Sequence, residues 1–131
     1  MCIFCKIVNG EIPSKKVYED ENVIAILDIS QATKGHTLVI PKKHSANLLE
    51  IDSEEYINVM KAVNLVTKKL SNTLKPAGIN ILNNCGEVAG QTVMHFHVHV
   101  IPRYEENDIQ IGLTNNSSNY NLDEIMKLIN N

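Results

Sequence analysis

The chain has 131 residues, of which 44% are hydrophobic, and a formal net charge of −3, which together predict one globular domain covering residues 1–131. The lysines are spread along the chain, with no basic run longer than a pair such as Lys42 and Lys43, so the pattern predicts no nucleic-acid-binding surface. No apolar run approaches the ~18 residues of a transmembrane helix, and the N-terminus lacks the pattern of a signal peptide. We therefore expect a cytoplasmic protein with no membrane partner, whose three cysteines (Cys2, Cys5 and Cys85) are reduced thiols or metal ligands.

The first part of the chain carries signals for one short helix and three strands. Residues 2–8 are apolar and are followed by Asn9 and Gly10, which predicts a helix of one or two turns ending there. Residues 16–19 and 23–27 are strand-like and flank a polar turn, which predicts a hairpin. A third strand is predicted over 36–41, where Pro41 stops it, and a connector carrying His44 follows.

From residue 53 to 74 the apolar spacing changes to that of a helix. Asp52 is a suitable N-cap, with Glu55 three residues on, and Pro76 and Gly78 end the helix. The residues expected on its core face are Tyr56, Val59, Met60, Val63, Val66, Leu70 and Leu74.

The last part of the chain is predicted to hold two more strands and a short helix. The strands cover 79–83 and 94–102, with a glycine-bearing loop over 84–92 between them, and the helix covers about 123–129. The Asn- and Ser-rich stretch 114–121 offers too little apolar surface to dock firmly. The sum is an α+β fold, a mostly antiparallel five-stranded meander with one long helix and short N- and C-terminal helices. Its core covers about 2–104 and its tail 105–131.

Three of the five histidines alternate with apolar residues in the fifth strand. Because neighbouring side chains of a strand point to opposite faces, we expect His95, His97 and His99 on one face and Phe96 and Val98 in the core. Three imidazoles in one row are not explained by packing. They are typical either of a catalytic metal site with an open water position or of a nucleophilic imidazole positioned by its neighbours.

Two further features bear on this choice. Cys2 and Cys5 form a Cys-x-x-Cys pair, which is half of a tetrahedral zinc site that would need two of the histidines, although redox chemistry also uses such pairs. The segment Gly90-Gln91-Thr92 offers backbone N–H groups, an amide and a hydroxyl beside the imidazoles. This combination favours a phosphate as the ligand.

At this point the sequence resembles the histidine triad (HIT) family of nucleotide-binding proteins. The resemblance covers about residues 2–103. It rests on the run from His95 to Ile101, on Gly90-Gln91-Thr92, on Asp28-Ile29-Ser30 and on the stretch from His36 to His44. It is strongest to the Hint-like branch, whose members hydrolyse nucleoside phosphoramidates and related compounds, and it fades beyond Tyr104.

The resemblance implies a role for each matching residue. His97 would attack the α-phosphorus of a purine nucleoside 5′-phosphoryl substrate and form a nucleotidyl-histidine intermediate, which water then hydrolyses. His99 and His36 would support the site, and Thr92 would contact the leaving group. The implied ligand contacts are Asn84, Gly90 and Gln91 at the phosphate, Asp28 at the ribose, and Ile3, Phe4, Ile7, Ile26, Ile29 and Leu38 as apolar walls of the base. Plain core packing is the alternative for these apolar residues, above all for Ile7, Ile26 and Leu38.

The resemblance also implies a structural zinc ion and a homodimer. Some relatives hold zinc through positions that correspond here to Cys2, Cys5, His44 and His95. Two other functions stay open: a nucleotide-sensing module with little turnover, and a metallohydrolase that uses the three motif histidines directly.

Overall fold

A five-stranded sheet organises the chain in the computed structural model, which describes residues 2–131. The strand order is β1-β2-β3-β5-β4, and each neighbouring pair is antiparallel. The strands are β1 (Lys16–Glu19), β2 (Val23–Leu27), β3 (Thr37–Pro41), β4 (Gly78–Leu82) and β5 (Val98–Arg103). The α-helices of the described residues are α1 (Ile3–Val8), α2 (Ser53–Leu74) and α3 (Leu122–Ile129). The α+β class with an antiparallel sheet is thus confirmed, but the order departs from a meander because β5 inserts between β3 and β4.

The long helix α2 covers one face of the sheet. It begins where Asp52 accepts a hydrogen bond from the Glu55 N–H at 2.9 Å, and it ends where Lys75 adopts a left-handed conformation with φ of 54°. The main core lies between this helix and the sheet and contains Val59, Ala62, Val63, Val66, Leu70, Val23, Ala25, Val39, Phe96, Val98 and Val100. Tyr56, predicted on the core face, is 39% exposed because it lies in the first turn, near the edge of the contact.

The opposite face of the sheet carries a second buried cluster under α1. Ile24, Ile26, Leu38 and Ile40 pack there with Phe4 of α1. Strands β2 and β3 are therefore buried on both faces, which is why they read as continuous apolar runs rather than as alternating patterns. This second face is where the functional side chains lie.

Several predicted boundaries were wrong. Strand β5 begins at Val98 and not at residue 94, because the Phe96 N–H donates to the Ser45 carbonyl at 2.7 Å and the His97 carbonyl accepts from the Asn83 side chain at 2.8 Å. The backbone groups of Phe96 and His97 are thus paired outside the sheet, so His95 and His97 lie in a segment before the strand. The third strand begins one residue later than predicted, the fourth lies one residue earlier, and the loop 84–92 contains a single 3₁₀ turn, Glu87–Ala89.

The segment after β5 is mostly exposed. Helix α3 is capped by Asn121, whose side chain accepts from the Glu124 N–H at 3.1 Å. Its apolar residues Leu122, Met126, Leu128 and Ile129 are 52–80% exposed, in line with the expectation that the tail docks weakly. Across residues 2–131, no helix has the length and apolar character needed to cross a membrane.

Candidate catalytic and metal sites

The alternation of the motif divides it between the two faces of the sheet, as the sequence predicts. Phe96 and Val98 pack into the core under α2, while the rings of His95 and His97 contact Phe4 of α1 on the other face, with centroid distances of 5.9 and 5.0 Å. His95 is fully buried, and His97 is 7% exposed. The motif histidines nevertheless serve two different sites, because their ring nitrogens point to different partners.

The first site is a cluster of two thiols and two imidazoles. The sulfurs of Cys2 and Cys5 lie 3.3 Å apart, the Nδ1 atoms of His44 and His95 lie 3.1 Å apart, and the four sulfur-to-nitrogen distances are 3.3–3.6 Å. The six distances are nearly equal, so the four atoms form an almost regular tetrahedron. Edges of 3.1–3.6 Å put the centre about 1.9–2.2 Å from each corner, close to Zn–N and Zn–S bonds of about 2.0 and 2.3 Å.

The surroundings of this cluster prepare His95 to be a ligand. Its Nε2 lies 2.8 Å from the Pro41 carbonyl, which accepts only, so Nε2 carries the proton and Nδ1 turns a lone pair towards the thiols. The Cys2 sulfur also accepts the Cys5 N–H at 3.3 Å and so caps α1. The residues therefore fit a closed four-ligand zinc site, and an ion held there would join α1 to the segment before β5. Cys85 is not part of this cluster.

The second site centres on His97, which is held at two points. Its Nδ1 lies 2.7 Å from the His95 carbonyl and must donate to it, so the Nε2 atom carries the lone pair. The backbone carbonyl of His97 accepts the amide of Asn83. Burial lowers the pKa of His97, which keeps the ring neutral near pH 7. This is the protonation state that a nucleophilic imidazole needs.

A chain of hydrogen bonds fixes His99 next to His97, and the centroids of the two rings are 5.1 Å apart. The Ala32 N–H donates to Nδ1 of His36 at 3.1 Å, so the proton of a neutral His36 sits on Nε2. That atom lies 2.9 Å from Nδ1 of His99, which must accept. His99 therefore presents Nε2–H as a donor, and burial together with the imidazoles of His97 and His36 lowers its pKa to about 4.

Asp28 lies at the end of this chain. Its Oδ1 accepts the Ser30 N–H at 2.8 Å, which is a turn contact, and its Oδ2 lies 3.6 Å from Nε2 of His36. Asp28, His36 and His99 are close enough together to be considered as a metal site. The Ala32 N–H opposes that interpretation, because it keeps the proton of His36 on the nitrogen that would have to bind the metal.

The same geometry argues against a metallohydrolase that uses the three motif histidines directly. Nδ1 of His95 faces the two thiols, Nδ1 of His97 is bonded to a backbone carbonyl, and Nδ1 of His99 is bonded to His36. The three rings thus do not converge on one point.

The loop before the motif differs from expectation at Gln91. Its side chain is 3% exposed and bonds only to backbone groups: it accepts from the Gly86 N–H at 2.9 Å and donates to the carbonyls of Ala46 and Val93 at 2.7 and 3.0 Å. Both amide protons are used, so Gln91 fastens the loop and does not offer a donor to a phosphate.

The other loop residues leave polar groups accessible. Asn84 donates to the Gly90 carbonyl at 3.3 Å, and Gly90 adopts a φ of 99° that favours glycine. A Cβ at Gly90 would lie 3.3 Å from the Asn84 amide, so the small residue keeps this approach open. Thr92 is exposed beside the motif.

The residues expected to line the base fall into two groups. Phe4, Ile26 and Leu38 are buried at 3–6% exposure, as the plain-core alternative predicts, although Phe4 also contacts the imidazole of His97. Ile7 is half-buried against the same cluster. Ile3 is 49% exposed and Ile29 fully exposed, so these two offer apolar surface to a ligand.

Two positioning side chains were missed from the sequence. Asn83, which holds the His97 carbonyl, stood in the pattern only as the end of a strand. Gln31, which fastens the loop that carries Ala32, lies between two predicted strands and carries no sequence signal of its own. Both side chains bond to backbone groups, and a sequence pattern does not show such contacts.

Comparisons with known proteins identify relatives of this chain. The family model described as "HIT domain" matches residues 9–106. An adenosine 5′-monophosphoramidase of Schizosaccharomyces pombe is 44% identical over 105 residues, which are 80% of this chain and 76% of that protein.

Two solved structures are informative. A HIT family protein from Bacillus anthracis superposes with a TM-score of 0.93 and 45% identity, covering 98% of this chain and 92% of that one. A zinc-bound histidine triad family protein from Mycobacterium smegmatis gives a TM-score of 0.72 and 45% identity, covering 78% and 74%.

Proposed function

The chain belongs to the HIT domain family, and from that premise we propose that it hydrolyses purine nucleoside 5′-phosphoramidates, or related 5′-phosphoryl compounds, by covalent catalysis at His97. The observation that carries the proposal is the hydrogen bond from Nδ1 of His97 to the His95 carbonyl at 2.7 Å. It leaves Nε2 as an unprotonated nucleophile in a buried ring. The name of the S. pombe relative supports a phosphoramidate as the substrate class.

In the first step, Nε2 of His97 attacks the α-phosphorus, an N–P bond forms, and the bond to the leaving group breaks. The leaving group departs with that electron pair and takes up a proton from solvent, with the Thr92 hydroxyl as its hydrogen-bond partner. The Nε2–H of His99 donates to the phosphoryl oxygens, where negative charge gathers in the transition state. In the second step, water attacks phosphorus and gives up a proton to solvent, the N–P bond returns its electrons to His97, and the nucleoside monophosphate is released.

Binding is assigned to the residues around this reaction centre. Asp28 takes the ribose hydroxyls through Oδ2, since Oδ1 is used by the Ser30 N–H. The exposed apolar surface of Ile3 and Ile29, with the ring of Phe4 behind it, takes the base. Asn84 and the backbone at Gly90 lie beside the phosphate.

We further propose that Cys2, Cys5, His44 and His95 hold a structural zinc ion. The near-regular tetrahedron of ligand atoms supports this, and so does the zinc named in the M. smegmatis relative. Four protein ligands leave no position for a water, so the ion would stabilise the fold and take no part in the reaction.

A homodimer is also proposed. Ile57 and Leu65 of α2 are 50% and 49% exposed, and β4 has one unpaired edge. An apolar helix face and a free strand edge are both surfaces that a second copy can cover. Light scattering of the purified protein at micromolar concentration gives the mass directly; a monomer would overturn this part.

The proposed reaction is tested by incubating the protein with adenosine 5′-phosphoramidate and following release of AMP and ammonia. A sensing module with little turnover would bind AMP without releasing either product from the phosphoramidate. Measuring AMP affinity by calorimetry on the same sample separates a protein that binds without turnover from one that is misfolded.

A further inference from the structure

The loop between β2 and β3 is fastened by one exposed side chain. Gln31 donates both amide protons, to the carbonyls of Asp28 at 2.6 Å and His36 at 2.7 Å, and its Oε1 accepts the Gly35 N–H at 2.8 Å. Two acceptors and one donor among the partners settle the orientation of the amide. One glutamine thus ties the start of the loop to its end.

This fastening fixes the backbone amide that meets His36. The N–H of Ala32, the next residue after Gln31, donates to Nδ1 of His36 at 3.1 Å. The Asp28 N–H donates to the His36 carbonyl at 3.0 Å, and the His36 N–H donates to the Thr33 carbonyl at 3.1 Å. The His36 backbone is therefore held at the same place as the donor that reaches its ring.

The position of the Ala32 N–H affects the tautomers of two imidazoles, those of His36 and His99. With Nδ1 of His36 accepting, Nε2 carries its proton and lies 2.9 Å from Nδ1 of His99. Nδ1 of His99 therefore accepts as well, and its proton must lie on Nε2. If the Ala32 amide moved away, His36 could carry its proton on either nitrogen, and His99 would no longer be fixed as a donor.

We propose that Gln31 is a positioning residue that sets the tautomers of His36 and His99, and so keeps the Nε2–H of His99 directed at the reacting phosphoryl group. The part that concerns catalysis rests on the proposed hydrolase function. The part that concerns the tautomers does not, because it can be observed in the protein without substrate. Gln31 does not touch the substrate and acts through the Ala32 amide.

The experiment compares wild type with Gln31→Glu, and uses Ser30→Ala as the matched control. Gln31→Glu keeps the size and the acceptor for the Gly35 N–H, but it turns a carboxylate oxygen towards the carbonyls of Asp28 and His36. Ser30→Ala changes an exposed side chain of the same loop and keeps the backbone N–H that bonds Asp28. Long-range ¹H–¹⁵N spectra of the imidazole rings report which nitrogen carries each proton.

In wild type and Ser30→Ala, both His36 and His99 should show the Nε2–H pattern. In Gln31→Glu that pattern should be lost or averaged, while kcat for the phosphoramidate falls about tenfold and KM stays within about twofold, as expected for a donor that acts in the transition state. An Nδ1–H form of His36 or His99 in wild type would overturn the inference. So would unchanged tautomers and kcat in Gln31→Glu, even if its melting temperature fell, since Gln31 would then only stabilise the loop.

The two proposals fail differently. If wild type shows both Nε2–H tautomers but does not cleave the phosphoramidate, the proposed function is wrong and the tautomer assignment stands. If wild type cleaves it but Gln31→Glu keeps full kcat, the reaction stands and the role of Gln31 is wrong.

Discussion

Removing zinc should detach the N-terminal helix and lower the stability of the protein. The ion would join Cys2 and Cys5, at either end of the first turn of α1, to His44 and His95, so its loss frees that helix from the sheet. For zinc at 1,000 times its dissociation constant, binding to the folded state alone is worth about 4.1 kcal/mol. At about 3.6 °C per kcal/mol for a chain of 131 residues, the melting temperature should fall by about 15 °C.

Phe4, a residue of α1, adds a second, smaller contribution to this loss of stability because its side chain packs against the sheet. Phe4 is 6% exposed in the cluster under the helix, and full exposure of such a side chain costs about 1.5–3 kcal/mol. Undocking α1 would lose this free energy of burial in addition to the free energy of zinc binding. The core under α2 is a cluster separate from the one that contains Phe4, so we expect a protein that still unfolds cooperatively at the lower temperature.

The assay is thermal unfolding with and without a chelator, together with metal analysis. Wild type should carry about one zinc ion per chain. Cys5→Ser should lack the metal, melt near the chelated wild type and change the chemical step less than it changes stability. Cys85→Ser is the matched control, since Cys85 lies outside the cluster. A chelator that removes no metal and leaves the wild-type melting temperature unchanged would refute this reasoning, as would equal losses in Cys85→Ser and Cys5→Ser.

Three further predictions concern single side chains. Asp28→Ala should raise KM for ribonucleotide substrates and do much less for 2′,3′-dideoxy analogues; equal effects on both would reduce Asp28 to its turn contact. Asn83→Ala removes the donor to the His97 carbonyl and should lower the free energy of unfolding by about 1 kcal/mol in chemical denaturation, with a loss of kcat. The Tyr104 N–H and then the Arg103 side chain hold the pKa of Asp108 at about 2, below its ordinary value of 3.8. Because the folded-state pKa is depressed, this stabilisation is present above about pH 4 and is lost as the pH falls towards 2; acid titration of Asp108→Asn should show a weaker loss over that window than wild type.

The fold was predictable where local patterns decide it. Helical spacing and the cap at Asp52 identified α2, and alternation placed Phe96 and the histidines on opposite faces of the sheet. The place of β5 between β3 and β4 was not visible, because strand order depends on which edges meet in space. The start of β5 at Val98 was missed for the same reason, since Ser45 and Asn83 interrupt the ladder from distant positions.

The candidate sites, like the fold, were predictable only in part. The Cys-x-x-Cys pair and the HIT motif indicated which residues carry chemistry, and the structure brings Cys2, Cys5, His44 and His95 together as the resemblance implied. Protonation states were not visible in the sequence. They depend on three contacts: the Pro41 carbonyl at His95, the His95 carbonyl at His97 and the Ala32 amide at His36. Gln91 is the opposite case. Its place in a loop expected to bind phosphate indicated a ligand contact, but its side chain bonds to backbone groups of the protein.

The most direct test of covalent catalysis is to trap the intermediate. Wild type mixed with radiolabelled adenosine 5′-phosphoramidate and quenched rapidly should yield an acid-labile adenylylated protein, with the label mapped to His97. His97→Asn should fold and bind AMP but form no adduct and lose nearly all turnover, because removing a covalent nucleophile leaves only the residual rate due to binding. Turnover in His97→Asn within about tenfold of wild type, about 1.4 kcal/mol of barrier, or a label on another residue, would contradict the mechanism.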